Sequence, residues 1–251
     1  MENNSGASFM ESLYVYHRIL LKLSGEALKG DAESGYDADA IGELVERIGS
    51  VADKGIELAI VVGGGNIWRG VRGVNSGMDR VTADYMGMLG TVMNAICLRD
   101  AFNAAGYIAE VQSSISMIPI APPFDREKAV KSLSEGKIMI FAGGTGSPFF
   151  TTDTTATLRA LEIGAEAVLK ATKVDGVYTD DPMKNPNAKR YEKISYDEAL
   201  TQQLKIMDST AFSMCRDNNL PIIVFNFSEP ESLERVLQGD TSIATVVGEK
   251  E

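Results

Sequence analysis

Long apolar runs alternate along the chain with segments in which apolar residues recur every three or four positions. The runs have the length of strands and lie at 18–24, 56–62, 107–111, 137–144, 165–171, 221–227 and 241–247. Continuous apolar runs of this length are typical of strands that are buried on both faces of a parallel sheet. The pattern therefore predicts an α/β fold, with an open, mainly parallel sheet and helices on both of its faces.

Helical periodicity fills the spaces between these runs. Asp37 can cap a helix whose apolar residues are three and four positions apart and which ends before Gly55. A longer helix is predicted from about Asp79 to Ala105. One apolar face of this longer helix is predicted to consist of Val81, Tyr85, Met88, Leu89, Val92 and Ile96. The remaining helices are predicted to begin near Asp125, at 153, after Ser195, after Asp208 and within 228–237.

Two segments depart from this alternation. Residues 1–16 lack the basic start and the uninterrupted apolar core of a signal peptide, so they predict a mobile extension before one domain at 17–251. Residues 172–191 are rich in Asp, Pro, Asn and Gly and predict a long functional loop. No apolar run approaches the roughly 20 residues of a membrane-spanning helix, so no membrane partner is expected.

Composition and charge narrow the function classes. With 44% hydrophobic and 24% charged residues, the chain is predicted to be globular and cytoplasmic. The net charge of −11 argues against a nucleic-acid partner, although a small anionic ligand in a local pocket is still compatible with it. Cys97 and Cys215 are expected to be reduced core residues. The single histidine, His17, precedes all the glycine-rich loops, so neither histidine catalysis nor a histidine metal site is expected.

Two predicted strands end in segments that are suited to phosphate groups. In KLSGE, at 22–26, Lys22 lies inside an apolar strand, where a charge is costly unless it is paired, and Ser24 and Gly25 follow. A phosphate site and an edge-strand lysine that reaches solvent both explain this pattern. In VVGGGNIWRG, at 61–70, three glycine N–H groups can converge on an anion, with Arg69 nearby. A tight turn that merely needs glycine is the alternative.

A third segment, FAGGTGSPFFTTD at 141–153, combines glycines, hydroxyls and two aromatic rings. Its hydroxyl groups belong to Thr145, Ser147, Thr151 and Thr152. Asp153 lies near a predicted helix start, where ordinary capping is one explanation. A loop has little reason to hold Phe149 and Phe150 unless something packs on them. Rings beside hydroxyls suit a ligand with a flat base and a phosphate, which indicates a nucleotide.

Absent motifs limit the chemistry. The chain lacks the P-loop pattern, the dinucleotide-binding glycine pattern after a strand, and the protein-kinase signature set. Phosphoryl transfer still fits the residues that are present, because that reaction depends mainly on positioning and on neutralising charge and does not need histidine.

Several motifs, in this order and spacing, closely resemble the bacterial-type uridylate (UMP) kinases of the amino-acid-kinase superfamily. They are KLSGEAL, GGGNIWRG, GTGSPFFTTD, LKATKVDGVYTDDP and LKIMDSTAF, and the resemblance runs from about Arg18 to the C-terminus. It implies transfer of the γ-phosphoryl group of Mg-ATP to UMP, giving UDP and ADP, on an open sheet of about eight strands in a homohexamer. Mg²⁺ would arrive with ATP, without a metal site of the protein's own. UMP as the acceptor comes from the resemblance alone.

The resemblance also implies which residues bind each substrate. The ATP-binding residues would be Lys22, Leu23, Ser24, Gly25, Gly65 and Arg69 at the phosphates, with Thr172, Tyr178 and Asp181 at the adenosine. The UMP-binding residues would be Gly64 at the phosphate, Asp84 at the ribose, and Thr145, Gly146, Ser147, Pro148, Phe149, Phe150, Thr151 and Thr152 around the uridine. The catalytic residues would be Lys22, Arg69, Asp153 and Asp208. Either Lys170 or Lys173 would add a second positive charge.

The resemblance has a regulatory side and one departure. GTP would activate through a site formed by Gly30, Asp31, Ala32, Glu33, Ser34, Gly35 and Arg99, and UTP would inhibit. Many family members have Asn at the position of Ser147, and serine reaches less far and lacks the paired donor and acceptor of an amide. The details of the base contact are therefore open.

Two other functions remain as alternatives. A kinase of the same superfamily could act on a small carboxylate or carbamate, but the hydroxyl-and-phenylalanine run and Asp84 would then lack partners. A non-catalytic nucleotide sensor would be expected to have lost part of the phosphoryl-transfer set, whereas Lys22, Arg69 and Asp153 are all present.

Overall fold

The computed structural model describes residues 13–70, 73 and 77–248, and these form one sheet of eight strands flanked by helices. The strands are β1 Arg18–Leu23, β2 Glu57–Val62, β3 Ala109–Ser113, β4 Ile138–Ala142, β5 Ala167–Thr172, β6 Lys193–Ser195, β7 Ile222–Asn226 and β8 Ala244–Gly248. They lie in the order β3-β4-β2-β1-β5-β7-β8-β6. Only β7 and β8 pair antiparallel. The prediction of an open, mainly parallel sheet of about eight strands is confirmed.

The described α-helices cover both faces of this sheet. They are α1 Ala38–Ala52, α2 Arg80–Ala104, α3 Arg126–Ser134, α4 Thr152–Ile163, α5 Tyr196–Thr201, α6 Ser209–Asp217 and α7 Ser232–Leu237. Helices α1, α2 and α7 bury their apolar residues against one face, and α3 to α6 bury theirs against the other. The residues predicted to start helices do so, because each of their side chains accepts a hydrogen bond from a backbone N–H in the first turn. These residues are Asp37, Asp79, Asp125, Ser195 and Asp208.

Two sequence-based expectations differ from the structure. Strand β6 has only three residues and one buried side chain, so it gave no apolar run to detect. The predicted apolar face of α2 is wrong in part, because Tyr85 and Leu89 are 43% and 46% exposed. The side of α2 that faces the sheet instead buries the small and polar residues Gly90, Thr91 and Asn94 together with its apolar ones. Small residues are needed there because residues 63–66, called here the glycine segment, follow β2 and lie against this helix.

Helix α2 is long and apolar enough, by length and composition alone, to cross a membrane, and it is the one described helix of which this is true. Core helices of globular proteins pass the same test. Of its most apolar window, 44% is buried inside the fold, and the helix packs on β3, β4 and α1. Packing in the core therefore accounts for part of its apolar character, and Leu89 and Met93 are apolar residues that remain exposed.

The start of the described chain packs on the last helix. Val15 N–H donates to the Leu237 carbonyl oxygen at 2.8 Å, and Tyr14 OH donates to Glu234 Oε1 at 3.1 Å. These residues belong to the predicted extension at 1–16, of which residues 1–12 lie outside the described part of the chain.

The strand order brings the candidate functional segments together. Strands β4, β2, β1 and β5 are neighbours and all parallel, so their carboxyl ends lie side by side. The segments that leave these ends begin at residue 24 after β1, at residue 63 after β2 and at residue 143 after β4. The long loop leaves the end of β5. Ligands of open α/β sheets bind at this edge, where neighbouring connections diverge.

Candidate active site

Lys22 and Lys170 occupy paired positions on the two central strands. Strands β1 and β5 are parallel, and their register places Lys22 beside Lys170. Side chains alternate across a strand, and Leu20 and Val168, two positions earlier, are buried on the face where α4 packs. Both ammonium groups therefore lie on the side of the first turn of α4, which contains Asp153. Two neighbouring cations repel each other unless an anion lies between them.

The Asp153 carboxylate supplies that anion. Lys22 Nζ lies 3.0 Å from Asp153 Oδ1, and Lys170 Nζ lies 2.8 Å from Oδ2. The first contact is an ion pair, and the second is both an ion pair and a hydrogen bond. Lys170 Nζ also donates to the Ile206 carbonyl oxygen at 2.5 Å. These three charged side chains, called here the lysine–aspartate cluster, leave one net positive charge at the carboxyl edge of the sheet.

Burial and charge act in opposite directions on this cluster. Burial by itself would raise the pKa of Asp153, but the ammonium groups of Lys22 and Lys170 outweigh it and hold that pKa below its ordinary value. Burial lowers the pKa of Lys170, and attraction to Asp153 offsets only part of this effect. Asp153 therefore remains ionised at neutral pH. Fixed charges in a partly dehydrated position interact with an anionic ligand more strongly than they would in water.

Thr151, and not Asp153, caps helix α4. Thr151 Oγ1 accepts hydrogen bonds from the N–H groups of Asp153 and Thr154 at 3.1 and 3.4 Å, which leaves the Asp153 carboxylate available to the lysines. Thr151 and Thr154 both donate their hydroxyls to Asp208 Oδ2. Because Asp208 Oδ1 accepts the Ala211 N–H at the start of α6, one carboxylate joins the first turns of two helices. Asp208 is thus placed to support Asp153 through the backbone of α4.

The glycine segment after β2 packs directly on neighbouring backbone. A Cβ at Gly25 would lie 2.4 Å from the Gly63 carbonyl oxygen, and a Cβ at Gly64 would lie 2.7 Å from that of Gly87 in α2. Neither Gly25 nor Gly64 has a positive φ. Glycine is therefore required at both positions by close approach, and a turn conformation alone does not explain it.

A buried pair of asparagines holds this glycine segment to α2. Asn66 and Asn94, 2% and 0% exposed, each donate a side-chain hydrogen bond to the other, at 3.1 and 2.7 Å. Asn94 Nδ2 also donates to the Gly63 carbonyl oxygen at 2.7 Å, and Asn66 Nδ2 donates to that of Gly35 at 3.0 Å. Both amides are thus fully occupied as donors, and they fix the segment relative to the helix.

Replacing Asn94 with alanine should destabilise the protein clearly. The variant leaves Asn66 and the Gly63 carbonyl with unpaired polar groups in the interior, so we expect the free energy of unfolding to fall by about 2 to 3 kcal/mol. Urea unfolding monitored by circular dichroism measures this loss. The matched control is Asn218→Ala, because Asn218 is exposed and donates only to the Met214 carbonyl. It should cost less than about 0.5 kcal/mol. Equal losses in the two variants would contradict the importance of the buried pair.

A cavity of about 260 Å³ opens between the glycine segment, α2 and the segment after β4. The predicted UMP-binding residues in its lining are Gly64, Asp84, Thr145, Ser147, Phe150, Thr151 and Thr152. Gly65, Trp68, Thr91 and Thr155 also line it, and sequence reasoning did not single out the last three. We call it the acceptor cavity, because most of the residues predicted to bind UMP line it. It combines backbone N–H groups, hydroxyls, the Asp84 carboxylate and the rings of Trp68 and Phe150.

Three residues of the predicted UMP-binding run lie outside this lining: Gly146, Pro148 and Phe149. The Phe149 side chain is 65% exposed, so only the Phe150 ring of the two faces the acceptor cavity. The backbone of Phe149 is instead engaged, because its N–H donates to Asp84 Oδ2 at 2.8 Å.

A second cavity, of about 620 Å³, is lined by Lys170 and Thr172 of β5, by the long loop after β5 and by residues 202–206. The residues predicted to bind adenosine, Thr172, Tyr178 and Asp181, all line it, as does Lys170. Lys173 lines a different cavity and is exposed. Lys170 is therefore the second lysine at Asp153, which the sequence left undecided.

The lysine–aspartate cluster, which is partly buried, is thus connected to both cavities: Lys170 lines the second one, and Thr152, next to Asp153 in the chain, lines the first. The sequence matches the model of the Amino acid kinase family over residues 17–226. The chain belongs to the amino acid kinase family. Among solved structures, it is similar to the UMP kinase of Bacillus anthracis, with 40% sequence identity and a TM-score of 0.90 over 94% of this chain and 97% of that one.

Two further solved structures are similar to this amino acid kinase along almost their whole length. The UMP kinase of Ureaplasma parvum shares 39% identity, with a TM-score of 0.88, over 93% of this chain and 99% of that chain. The uridylate kinase of Archaeoglobus fulgidus shares 26% identity, with a TM-score of 0.68, over 92% and 99% of the two chains.

The phosphate-binding residues predicted for this amino acid kinase lie near one another, and Glu26 joins them. Arg69 Nη2 lies 2.5 Å from Glu26 Oε1, and this hydrogen bond holds the pKa of Glu26 below its ordinary value. Ser24 Oγ accepts the Glu26 N–H at 3.3 Å. Leu23 is 1% exposed and its carbonyl oxygen accepts the Gly63 N–H at 3.0 Å, so the structure does not present this residue to a ligand. Sequence reasoning missed Glu26, because nothing local indicated that Arg69 folds back onto it.

The residues predicted to form the regulatory site are only partly brought together. Gly35 N–H donates to the Asn66 carbonyl oxygen at 3.0 Å, so the end of the 30–35 loop is attached to the glycine segment. Arg99 Nη1 donates to the Ile120 carbonyl oxygen at 3.4 Å. Within the described residues, no hydrogen bond or ion pair joins Arg99 to Gly30, Asp31, Ala32, Glu33, Ser34 or Gly35.

Proposed function

We propose that this chain transfers the γ-phosphoryl group of Mg-ATP to UMP, giving UDP and ADP. The observation that supports this most directly is the position of the lysine–aspartate cluster between two cavities. Lys170 lines the larger cavity, and Thr152, next to Asp153 in the chain, lines the smaller one. A phosphoryl group that passes from a donor in the larger cavity to an acceptor in the smaller one would pass the cluster.

The reaction needs positioning and positive charge more than it needs a proton acceptor. An oxygen of the UMP phosphate attacks the γ-phosphorus, and the bond from that phosphorus to the β–γ bridging oxygen breaks, so that ADP leaves with the electron pair. A phosphate monoester is largely doubly ionised at pH 7, because its second pKa is about 6. The attacking oxygen therefore carries no proton that must be removed, which accounts for a site without histidine.

Each charged residue then has a definite task. Lys22 and Lys170 neutralise the charge that accumulates on the transferring group, and Asp153 fixes both ammonium groups in place. Arg69, oriented by Glu26, adds a further positive charge at the glycine segment. Asp208 keeps the first turn of α4 in position through its bonds with Thr151 and Thr154. The adenosine would bind to Thr172, Tyr178 and Asp181, which line the larger cavity.

Mg²⁺ fits this site as a companion of ATP. Within the described residues, no group of three or more acidic, histidine or cysteine side chains could hold a metal ion, and Asp153 is already shared by two lysines. In proteins, Mg²⁺ commonly binds through nucleotide phosphates and retains several waters, so it can arrive with ATP without a cage among the described residues. The ion would supply charge neutralisation at the phosphates.

A nucleotide acceptor fits the smaller cavity better than a small carboxylate or carbamate does. Those acceptors have neither ring nor ribose, so they would have no group to contact Trp68, Phe150 and Asp84 in the cavity lining. The two similar bacterial proteins are UMP kinases by name, and their folds superimpose on nearly the whole of this chain. By the same resemblance we propose a homohexamer that acts in the cytoplasm, in pyrimidine nucleotide synthesis, with GTP as activator and UTP as inhibitor.

The proposed function is tested by offering acceptors one at a time. ADP release from Mg-ATP should be rapid with UMP and slow with CMP, dUMP, aspartate, N-acetylglutamate and carbamate. Rapid turnover with a carboxylate or carbamate would replace UMP kinase with the second hypothesis. Binding of UMP without turnover on any acceptor would favour the nucleotide sensor.

Replacing Asp84 with alanine should separate the two substrate sites. Asp84 lines the acceptor cavity and not the donor cavity, so we expect the KM for UMP to rise by about tenfold or more while the KM for ATP changes by less than about twofold. Initial rates with each substrate varied in turn measure this difference. Equal effects on the two KM values would mean that the acceptor cavity has been wrongly assigned.

A further inference from the structure

Arg80, in the first turn of α2, contacts Asp84, which lines the acceptor cavity, and was not singled out by sequence reasoning. Its Nε donates to both oxygens of Asp84, at 2.9 and 2.8 Å. Its guanidinium carbon lies 5.5 Å from the centre of the Phe149 ring. One side chain therefore touches both the carboxylate of the cavity wall and the loop that borders the cavity.

The third side of this arrangement is the bond between Phe149 and Asp84. Phe149 N–H donates to Asp84 Oδ2 at 2.8 Å, so that Arg80, Asp84 and Phe149 form a closed triangle, called here the acceptor latch. Phe149 has a φ of +72°, which is unfavourable for a residue with a Cβ. Two contacts hold Phe149 in this conformation: the hydrogen bond that its N–H donates to Asp84, and the Arg80 guanidinium over its ring.

Helix stability does not explain the position of Arg80. A positive charge in the first turn opposes the helix dipole, and an arginine four residues before an aspartate is the less favourable order for such a pair. The Arg80 side chain is also 53% exposed, whereas that of Asp84 is 15% exposed. Arg80 thus gains little as a surface ion pair of α2, but it is well placed to orient a half-enclosed carboxylate.

We propose that Arg80 is a positioning residue for the acceptor nucleotide. By holding Asp84 and Phe149 together, it fixes the loop from Thr145 to Phe150 at the edge of the cavity before the acceptor arrives. A carboxylate has about four lone-pair positions, so Asp84 retains acceptor capacity for ligand hydroxyls while it is held. Because the loop is already ordered, the entropy cost of ordering it is not subtracted from the binding free energy, and the acceptor binds more tightly. The inference rests on the proposed function, because the acceptor is taken to be UMP.

The test is a comparison of UMP binding and turnover between the wild type and Arg80→Gln. The chain has a single tryptophan, and Trp68 lines the acceptor cavity, so its fluorescence reports UMP binding without turnover. We expect Arg80→Gln to raise both the Kd and the KM for UMP by about tenfold and to change kcat and the KM for ATP by less than about twofold. An unchanged Kd for UMP, or an equal rise in both KM values, would overturn the proposal.

A lysine variant separates orientation from charge. Arg80→Lys keeps the positive charge but loses the planar, directed N–H groups, so it should recover only part of the lost affinity and leave the Kd about threefold above the wild type. Complete recovery would mean that charge attraction to the UMP phosphate is sufficient, which overturns the latch. The matched control is Arg216→Gln, since Arg216 is an exposed arginine paired with Asp217 in α6. Its UMP affinity should match that of the wild type.

The role of Phe149 is tested by a double-mutant cycle. If Arg80 acts through the loop, Phe149→Leu should weaken UMP binding, and combining it with Arg80→Gln should weaken binding by less than the product of the two single effects. A full product would show that the residues act independently and would overturn the coupling. Failure of the wild type to phosphorylate UMP would instead contradict the proposed function, so the two failures are distinguishable.

Discussion

Asp153→Asn should retain UMP binding and lose turnover by a factor of about 100 to 1,000, because its carboxylate holds two lysines where charge develops in the transition state. An amide of the same shape carries no charge, so the two neighbouring ammonium groups would repel each other and move apart. Trp68 fluorescence measures UMP binding, and ADP release measures turnover. Turnover close to that of the wild type would remove Asp153 from the mechanism.

A matched control for this variant is available on α5. Asp197, like Asp153, lies in the first turn of a helix, but it is exposed. Asp197→Asn should therefore leave turnover unchanged within about twofold, as is usual for a surface substitution. Thermal unfolding of both variants shows whether any loss of turnover at Asp153 reflects the chemistry and not an unfolded protein.

Lys170→Met should reduce kcat about 100-fold, whereas Lys173→Met should change it by less than about threefold. The structure motivates this contrast, because Lys170 Nζ lies 2.8 Å from Asp153 and Lys173 lines another cavity. Methionine approximates the length and apolar volume of the lysine stem, so the comparison isolates the ammonium group. Equal losses in the two variants would show that the assignment of the second lysine is wrong.

The same variant should change the pH dependence of turnover. In the wild type, Lys22 and Lys170 hold the pKa of Asp153 below its ordinary value against the opposing effect of burial. When one ammonium group is removed, the effect of burial on the carboxyl group is opposed less strongly, so the pKa of Asp153 rises. Protonation of the UMP phosphate at about pH 6 causes a first fall of kcat in acid. Because the ionised carboxylate is the active form, the second fall, at lower pH, should move to higher pH in Lys170→Met. A second fall that stays in place would mean that a different group limits turnover in acid.

Local signals in the sequence were sufficient for most of the fold. Capping side chains such as Asp37 and Asp125 act within one turn of their own helix, and apolar runs record burial directly. Strand β6 escaped detection because a three-residue strand contains too little of either signal. The face of α2 was misjudged since its neighbours include a glycine segment, against which small and polar residues pack as well as apolar ones.

The site depended more on distant contacts. The strand-end segments were recognisable from their glycines and hydroxyls, yet the choice between Lys170 and Lys173 required the register of β1 and β5. Glu26 and Arg80 could not be identified because their partners, Arg69 and Phe149, are 43 and 69 positions away in the chain. Thr151 could have been identified as the cap of α4 from its position alone. Capping would then not have been needed to explain Asp153, and its ion pairs could have been predicted.

The paired asparagines of the glycine segment also constrain how this chain can evolve. Each amide is both donor and acceptor for the other, so a substitution at Asn66 or Asn94 alone creates an unmatched polar group inside the protein. A substitution to aspartate would in addition set a carboxylate against a carbonyl oxygen. Among descendants of this sequence, both amides should therefore be retained together, because even an apolar pair of similar volume would leave the Gly63 and Gly35 carbonyl oxygens without donors.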